Sequence, residues 1–172
     1  CMCCEASEPG LVPEAAASLA ASPRALPARR RKARHYALQA LYQWHMAGQS
    51  LIDIETQFHA DYDMRNVDTE YFSAVLHGVP AELKALQALF EPALDRGLDE
   101  LDPVELALLR MGTWELMTRV DIPYKVAINE NVNLAKRFGA SESFRYINGV
   151  VDKVAAQTRG VEMKAQSRSP EA

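Results

Sequence analysis

The chain has 172 residues, 48% of them hydrophobic, and a formal net charge of −4 from 19 Lys and Arg against 23 Asp and Glu. That length fits one domain or two small ones with a real core. No stretch approaches the roughly 20 consecutive apolar residues that span a bilayer, and the N-terminus has no basic segment followed by an apolar one, so a cytoplasmic protein without a membrane partner is expected.

Residues 1–26 are rich in Ala, Ser and Pro, with Pro9, Gly10, Pro13 and Pro23 interrupting any helical run, which reads as a disordered leader. The three cysteines, Cys1, Cys3 and Cys4, all lie in its first four positions. They cannot staple distant elements together, and without a fourth ligand at a regular spacing no metal site is expected of them.

Pro27 to Trp44 reads PARRRKARHYALQALYQW, with Arg29, Arg30, Arg31, Lys32 and Arg34 placing five positive charges in six positions. At about 100° per residue, Ala33, Ala37, Ala40, Leu41 and Trp44 share one side of a helix. Arg31, His35, Gln39 and Tyr42 share the other. The helix is expected to run to about Met46 and stop at Gly48. A basic face carrying an aromatic suits a polyanion with bases to stack upon. The same run also fits a solvated face, or a helix lying on an anionic membrane surface.

Ser50 reads as the N-cap of a second helix that buries Leu51, Ile54 and Phe58. A third begins near Asp68, carries Phe72, Val75, Leu76 and Val79, and is expected to kink or restart at Gly78 to Pro80 before ending by Pro92. These helices would close an N-terminal bundle over residues 27–92. Asp102, Pro103 and Glu105 give an N-cap, a proline at the first helical position and an acid at the third. The helix they open, VELALLRMGTWELMTRV, is apolar nearly all round, as the centre of a C-terminal bundle over 102–159 would be. Asp121 and Pro123 open the next helix, with Glu130, Asn133, Lys136 and Arg137 outward and Gly139 expected as a left-handed cap. Ser141 is expected to cap the last helix, which buries Phe144, Ile147, Val150, Val151 and Val154 and turns Glu142, Tyr146, Gly149 and Lys153 outward. Residues 160–172 read as a flexible polar tail. No segment has a strand's alternation, so the expected fold is all-α: about seven helices in two small bundles packed together.

Catalytic chemistry has no support. His35, His45, His59 and His77 are scattered, none pairs with a nucleophile or metal ligand at a recognisable spacing, and there is no glycine-rich phosphate loop. The acids between Glu91 and Glu105 fall in a loop and at a helix start, where the helix dipole favours them. No enzyme activity and no cofactor are expected.

Five blocks in order, ARRRKARHYALQALYQW, YFSAVLHGV, ELALLRMGTWEL, IPYKVAINENVNLAKRFG and YINGVVDKVA, resemble the bacterial NusB family over Ala28 to Arg159. The resemblance implies an all-helical, RNA-binding transcription antitermination factor. Its implied partners are the small-subunit ribosomal protein NusE, single-stranded boxA RNA and the RNA polymerase antitermination complex on ribosomal RNA operons. Self-association also occurs in the family. The arginine-rich first helix, Arg29, Arg30, Arg31 and Arg34 with Lys32 among them, is the implied RNA contact. Tyr42 and Tyr146 match family aromatics, and Glu105 and Glu142 match acids near the binding surface. Lys153 joins this set from its place beside Tyr146 on the outward face. Two other readings stand beside this one: a helical adaptor that binds only proteins, and an RNA-binding module related to ribosomal RNA methyltransferases. The short expected tail leaves no room for a catalytic domain and counts against the latter.

Overall fold

The computed structural model describes residues 24–168. Leu26 already belongs to the first helix, while residues 1–23 of the expected leader, with its cysteines, and 169–172 of the expected tail lie outside the described residues. Within them the chain forms eight α-helices and no strand: α1 Leu26–Ala47, α2 Leu51–Asp61, α3 Thr69–Ala81, α4 Leu83–Phe90, α5 Pro103–Thr118, α6 Tyr124–Phe138, α7 Ser143–Thr158 and α8 Gly160–Arg168. Two single 3-10 turns, Glu91–Ala93 and Leu98–Glu100, join α4 to α5. No described helix is long and apolar enough to cross a membrane.

The hydrophobic periodicity sets the arrangement. α5 is buried on every side from Leu106 to Leu116, as its unbroken apolar character requires. It packs against α1, α3, α4, α6 and α7. α1 buries Ala33, Ala37, Leu38, Ala40 and Leu41 where it packs among α2, α3 and α5, and its alanines are small enough to let neighbouring helices come close. Gly78 does the same for α3: a Cβ there would sit 2.5 Å from the Trp114 indole nitrogen.

Caps decide where elements begin and end. The Asp102 carboxylate accepts from the Val104 amide at 2.8 Å, with Pro103 in the first turn, and Asp68 accepts from the Tyr71 amide at 3.1 Å. Gly48 adopts φ 65° and donates its amide to the Trp44 carbonyl at 2.9 Å, a left-handed stop that glycine takes without strain.

Several boundaries differ from the sequence reading. α3 runs through Gly78 and Pro80 and breaks only at Glu82, because a proline in the final turn removes one hydrogen bond where the ladder is ending anyway. Gly139 is extended, with φ −83° and ψ 172°, and is not a left-handed cap. Its lack of a side chain serves a close approach, since a Cβ would meet the Ala135 carbonyl oxygen at 2.7 Å. Ser141 does not cap α7; the N-cap is Glu142 and makes no side-chain cap bond. Ser50 holds the N-cap position of α2 without a side-chain bond. Gly160–Arg168 is helical where a polar tail is expected.

Arg159 explains that last helix. Its guanidinium is buried and donates to the carbonyls of Leu116 (2.8 Å), Ile122 (3.0 Å), Glu115 (3.3 Å) and Arg119 (2.7 Å). The Glu115 and Arg119 carbonyls also accept from the Arg119 and Ile122 amides, so it is the Leu116 carbonyl in the last turn of α5 and the Ile122 carbonyl beyond it that depend on Arg159 for a donor. Glu162, in the first turn of α8, balances the charge at 2.7 Å and also accepts from the Tyr124 amide at 3.1 Å. Replacing Arg159 by Met should therefore lower stability by about 3 kcal/mol, since each buried carbonyl left without a donor costs ~1–3 kcal/mol. Urea unfolding of Arg159→Met against the unmodified chain reads this directly, and a change under about 1 kcal/mol would sink the capping role.

Candidate nucleic-acid interface

The five clustered cations of α1 do not form one exposed patch. Arg34 is 3% exposed, and its Nε donates to Glu115 Oε1 of α5 at 2.5 Å. The Tyr71 hydroxyl donates to the same carboxylate. Burial pushes the Glu115 carboxyl up, opposed by the Arg34 guanidinium and the Tyr71 hydroxyl beside it. The Tyr71 ring lies among three guanidinium groups, at 5.4 Å from Arg30, 5.2 Å from Arg34 and 5.0 Å from Arg119, within the range of cation–π attraction. Arg34 is therefore removed from the expected RNA-contacting set. One turn from Ala37 and Leu38 and two from Leu41, it lies on the inward stripe, and the buried acid of α5 claims its charge.

The other cations of the run are engaged to different degrees. Arg29 donates to the Val67 carbonyl at 3.1 Å and is half-buried. Arg30 lies 3.5 Å from Asp68 and 3.7 Å from Asp121. Arg31 reaches the Glu130 carboxylate of α6 with Nε at 3.1 and 3.3 Å and Nη2 at 2.9 Å. Its side chain nevertheless stays 63% exposed. Lys32 is exposed and, among the described residues, has no ion-pair partner.

Tyr42 lies about 20 Å along α1 from Arg29, at 1.5 Å per residue. It is 39% exposed and walls an apolar groove of about 500 Å³ with Leu38, Met46, Tyr62, Val104 and Phe138. Glu105, Glu142 and Tyr146 meet in a second cleft, together with Arg96 and Arg145. There the Ser143 hydroxyl donates to Glu105 at 2.6 Å, Glu142 pairs with Arg145 at 3.2 Å, and the Arg96 guanidinium covers the Tyr146 ring at 4.3 Å. One face of Tyr146 is thus occupied. The two clefts are neighbours in the chain, since Val104 lines one and Glu105 the other, and α6 ends at Phe138 in the first just before residues 140–146 build the second. Lys153 is exposed two turns beyond Tyr146 on α7 and does not line either cleft.

Sequence reasoning singled out neither Arg96 nor Arg145, and it placed Lys136 and Arg137 outward on α6 without assigning them to a site. All four of these cations lie over aromatic rings: Arg96 over Tyr146, Lys136 at 5.1 Å and Arg145 at 5.7 Å from Phe144, and Arg137 at 5.8 Å from Phe138. The available signal was adjacency, because Arg145 immediately precedes Tyr146, and Lys136 and Arg137 immediately precede Phe138. Among the described residues no group of three His, Cys, Asp or Glu side chains is arranged to hold a metal ion.

Similar arginines of one helix should therefore differ sharply in what they do for stability. Arg34→Met leaves Glu115 as an unpaired buried acid, which typically costs ~3–5 kcal/mol. Arg31→Met breaks a pair whose guanidinium stays 63% exposed and leaves Glu130 within reach of water, a loss of about 1 kcal/mol or less. Chemical denaturation of the two variants separates the roles, and equal losses would contradict the buried assignment of Arg34.

The NusB family profile matches residues 31–156 of the chain. Among curated proteins, the chain is 58% identical over 139 residues to the transcription antitermination protein NusB of Teredinibacter turnerae, covering 80% of this chain and 95% of that protein. It is 53% identical over 141 residues to the protein of the same name from Pseudomonas fluorescens, covering 82% and 85% respectively. Among solved structures, T. maritima NusB is similar with a TM-score of 0.68 at 27% identity, over 78% of this chain and 96% of that one. NusB crystallised with NusE and double-stranded RNA shares the fold at a TM-score of 0.65 and 21% identity, over 74% and 96%.

Proposed function

Because the chain belongs to the NusB family, we propose that it is an RNA-binding transcription antitermination factor and not an enzyme. In this reading it acts in the cytoplasm, pairs with the ribosomal protein NusE and binds boxA RNA to support transcription of ribosomal RNA operons within the RNA polymerase antitermination complex.

The observation that carries the reading is the strip along α1 on which Arg31, Lys32 and Tyr42 stay exposed beside His35 and Gln39. Two charges at one end and an aromatic on an apolar groove at the other match the two needs of a single strand: phosphate neutralisation and a surface for unstacked bases. Arg31 suits the phosphate role even while paired. Glu130 takes its Nε and Nη2 edge, which leaves the Nη1 edge of an oriented guanidinium for a phosphate. Arg29 and Arg30 contribute charge from partly buried positions. At the far end Tyr146 offers one ring face, Arg96 holding the other. Glu105 and Glu142 take a different part, as acceptors for base-edge donors or ribose hydroxyls. Lys153 extends the charge along α7.

Two variants test the reading on a boxA RNA, with and without NusE. Tyr42→Ala should weaken binding by ~1–3 kcal/mol, the usual worth of one stacked base. Arg31→Gln with Lys32→Gln should reduce the magnitude of the slope of log K against log salt by about 1.4, at ~0.7 for each phosphate of a single strand that the protein no longer neutralises. A chain that binds NusE but no RNA under any condition would instead be a protein adaptor.

A further inference from the structure

The run of arginines in α1 is largely neutralised from within, since Arg30, Arg31 and Arg34 each have acids beside them. Beside Lys32, which stays free on α1, two adjacent cations without such acids lie on α6. Lys136 and Arg137, in its last turn, are exposed, and among the described residues neither has an ion-pair partner.

Their placement joins the pieces of the candidate interface. Phe138 packs against His35 of α1, ring centroids 4.8 Å apart, and Arg137 is close enough for its charge, after burial, to help hold the His35 imidazole below its ordinary range. His35 lies three residues from Lys32 on the exposed strip, and Phe138 walls the Tyr42 groove. On the other side Lys136 lies over Phe144, whose ring Arg145 also approaches, and Arg145 lines the cleft of Tyr146. The α6 terminus therefore sits between the two groups of residues that the sequence places at opposite ends of the chain.

We infer that Lys136 and Arg137 form a phosphate-binding site for the RNA backbone, bridging the α1 strip and the Tyr146 cleft. The inference rests on the RNA-binding reading above and assigns it a central contact. Geometry and charge both favour an RNA backbone as the occupant. Two solvent-facing cations without an ion-pair partner among the described residues keep their counterions until a polyanion displaces them, and aromatic rings beneath them fix where those charges stand. The competing role for two cations in a last helical turn is to offset the helix dipole.

The test measures binding of a boxA RNA, with NusE present, across a range of salt for Lys136→Ala/Arg137→Ala. A charge-matched control, Lys84→Ala/Lys164→Ala, removes two lysines from α4 and α8, away from both clefts. The α6 variant should lose affinity by at least about tenfold near 0.1 M salt, and the magnitude of its salt slope should fall by about 1.4, so that its curve meets that of the unmodified chain toward 1 M. Lys136→Arg/Arg137→Lys should keep the original slope. If the α6 variant binds as the control does, the site is overturned while the functional reading stands. A lowered unfolding midpoint with unchanged RNA affinity leaves these cations to the helix dipole, and also overturns it. No RNA binding by the unmodified chain overturns the functional reading and this inference together.

Discussion

The buried pair of Arg34 and Glu115 sets the geometry on which everything else depends. α5 is enclosed by its neighbours, yet it carries an acid within its buried stretch. An ionised carboxylate there is costly unless a cation and further donors meet it. Arg34 of α1 and Tyr71 of α3 supply both, so one site fixes three helices against one another. It also fixes the rotation of α1. With Arg34 turned inward, about 100° per residue places Arg31, Tyr42, His35, Gln39 and Lys32 within roughly 100° of arc, beginning about 60° round the helix from Arg34. The exposed strip follows from the buried charge.

Much of the scaffold was legible in the sequence because its signals are local. Asp102 and Pro103 announce the start of α5, Gly48 the end of α1, and the spacing of Ile147, Val150, Val151 and Val154 the inward face of α7. What escaped reading has distant causes. Arg29, Arg30, Arg31 and Arg34 look equivalent in sequence, but their partners lie at Val67, Asp68, Glu115, Asp121 and Glu130, and nothing in the local pattern assigns one to another. Glu115 was the exception that could have been used: an acid in a helix apolar all round demands a buried cation. Gly139 shows a different failure. A glycine after a helix reads as a left-handed cap, whereas here it makes room for Ser143 and the Ala135 carbonyl.

The candidate interface was half legible for the same reason. Tyr42 and Tyr146 could be picked out as outward aromatics, and Glu105 with Glu142 followed from family resemblance. That these three, Tyr146, Glu105 and Glu142, share a cleft depends on α5 and α7 packing together, which periodicity alone does not orient. The guanidinium over Tyr146 belongs to Arg96, in the connection between α4 and α5, where no periodic signal exists to place a side chain.

Internal neutralisation of an arginine-rich helix and recognition of a polyanion are compatible, and the net charge of −4 makes the combination useful. Overall negative charge opposes indiscriminate binding to nucleic acid. A guanidinium paired on one edge has already given up the side-chain entropy that a free Arg would surrender on meeting a phosphate, and it still presents donors on the other edge. Acids such as Glu130 then reduce the raw attraction while fixing the direction from which a phosphate can be met. Selectivity in such a surface comes less from the number of positive charges than from which of their edges remain open, and the fold, through Arg34, decides that.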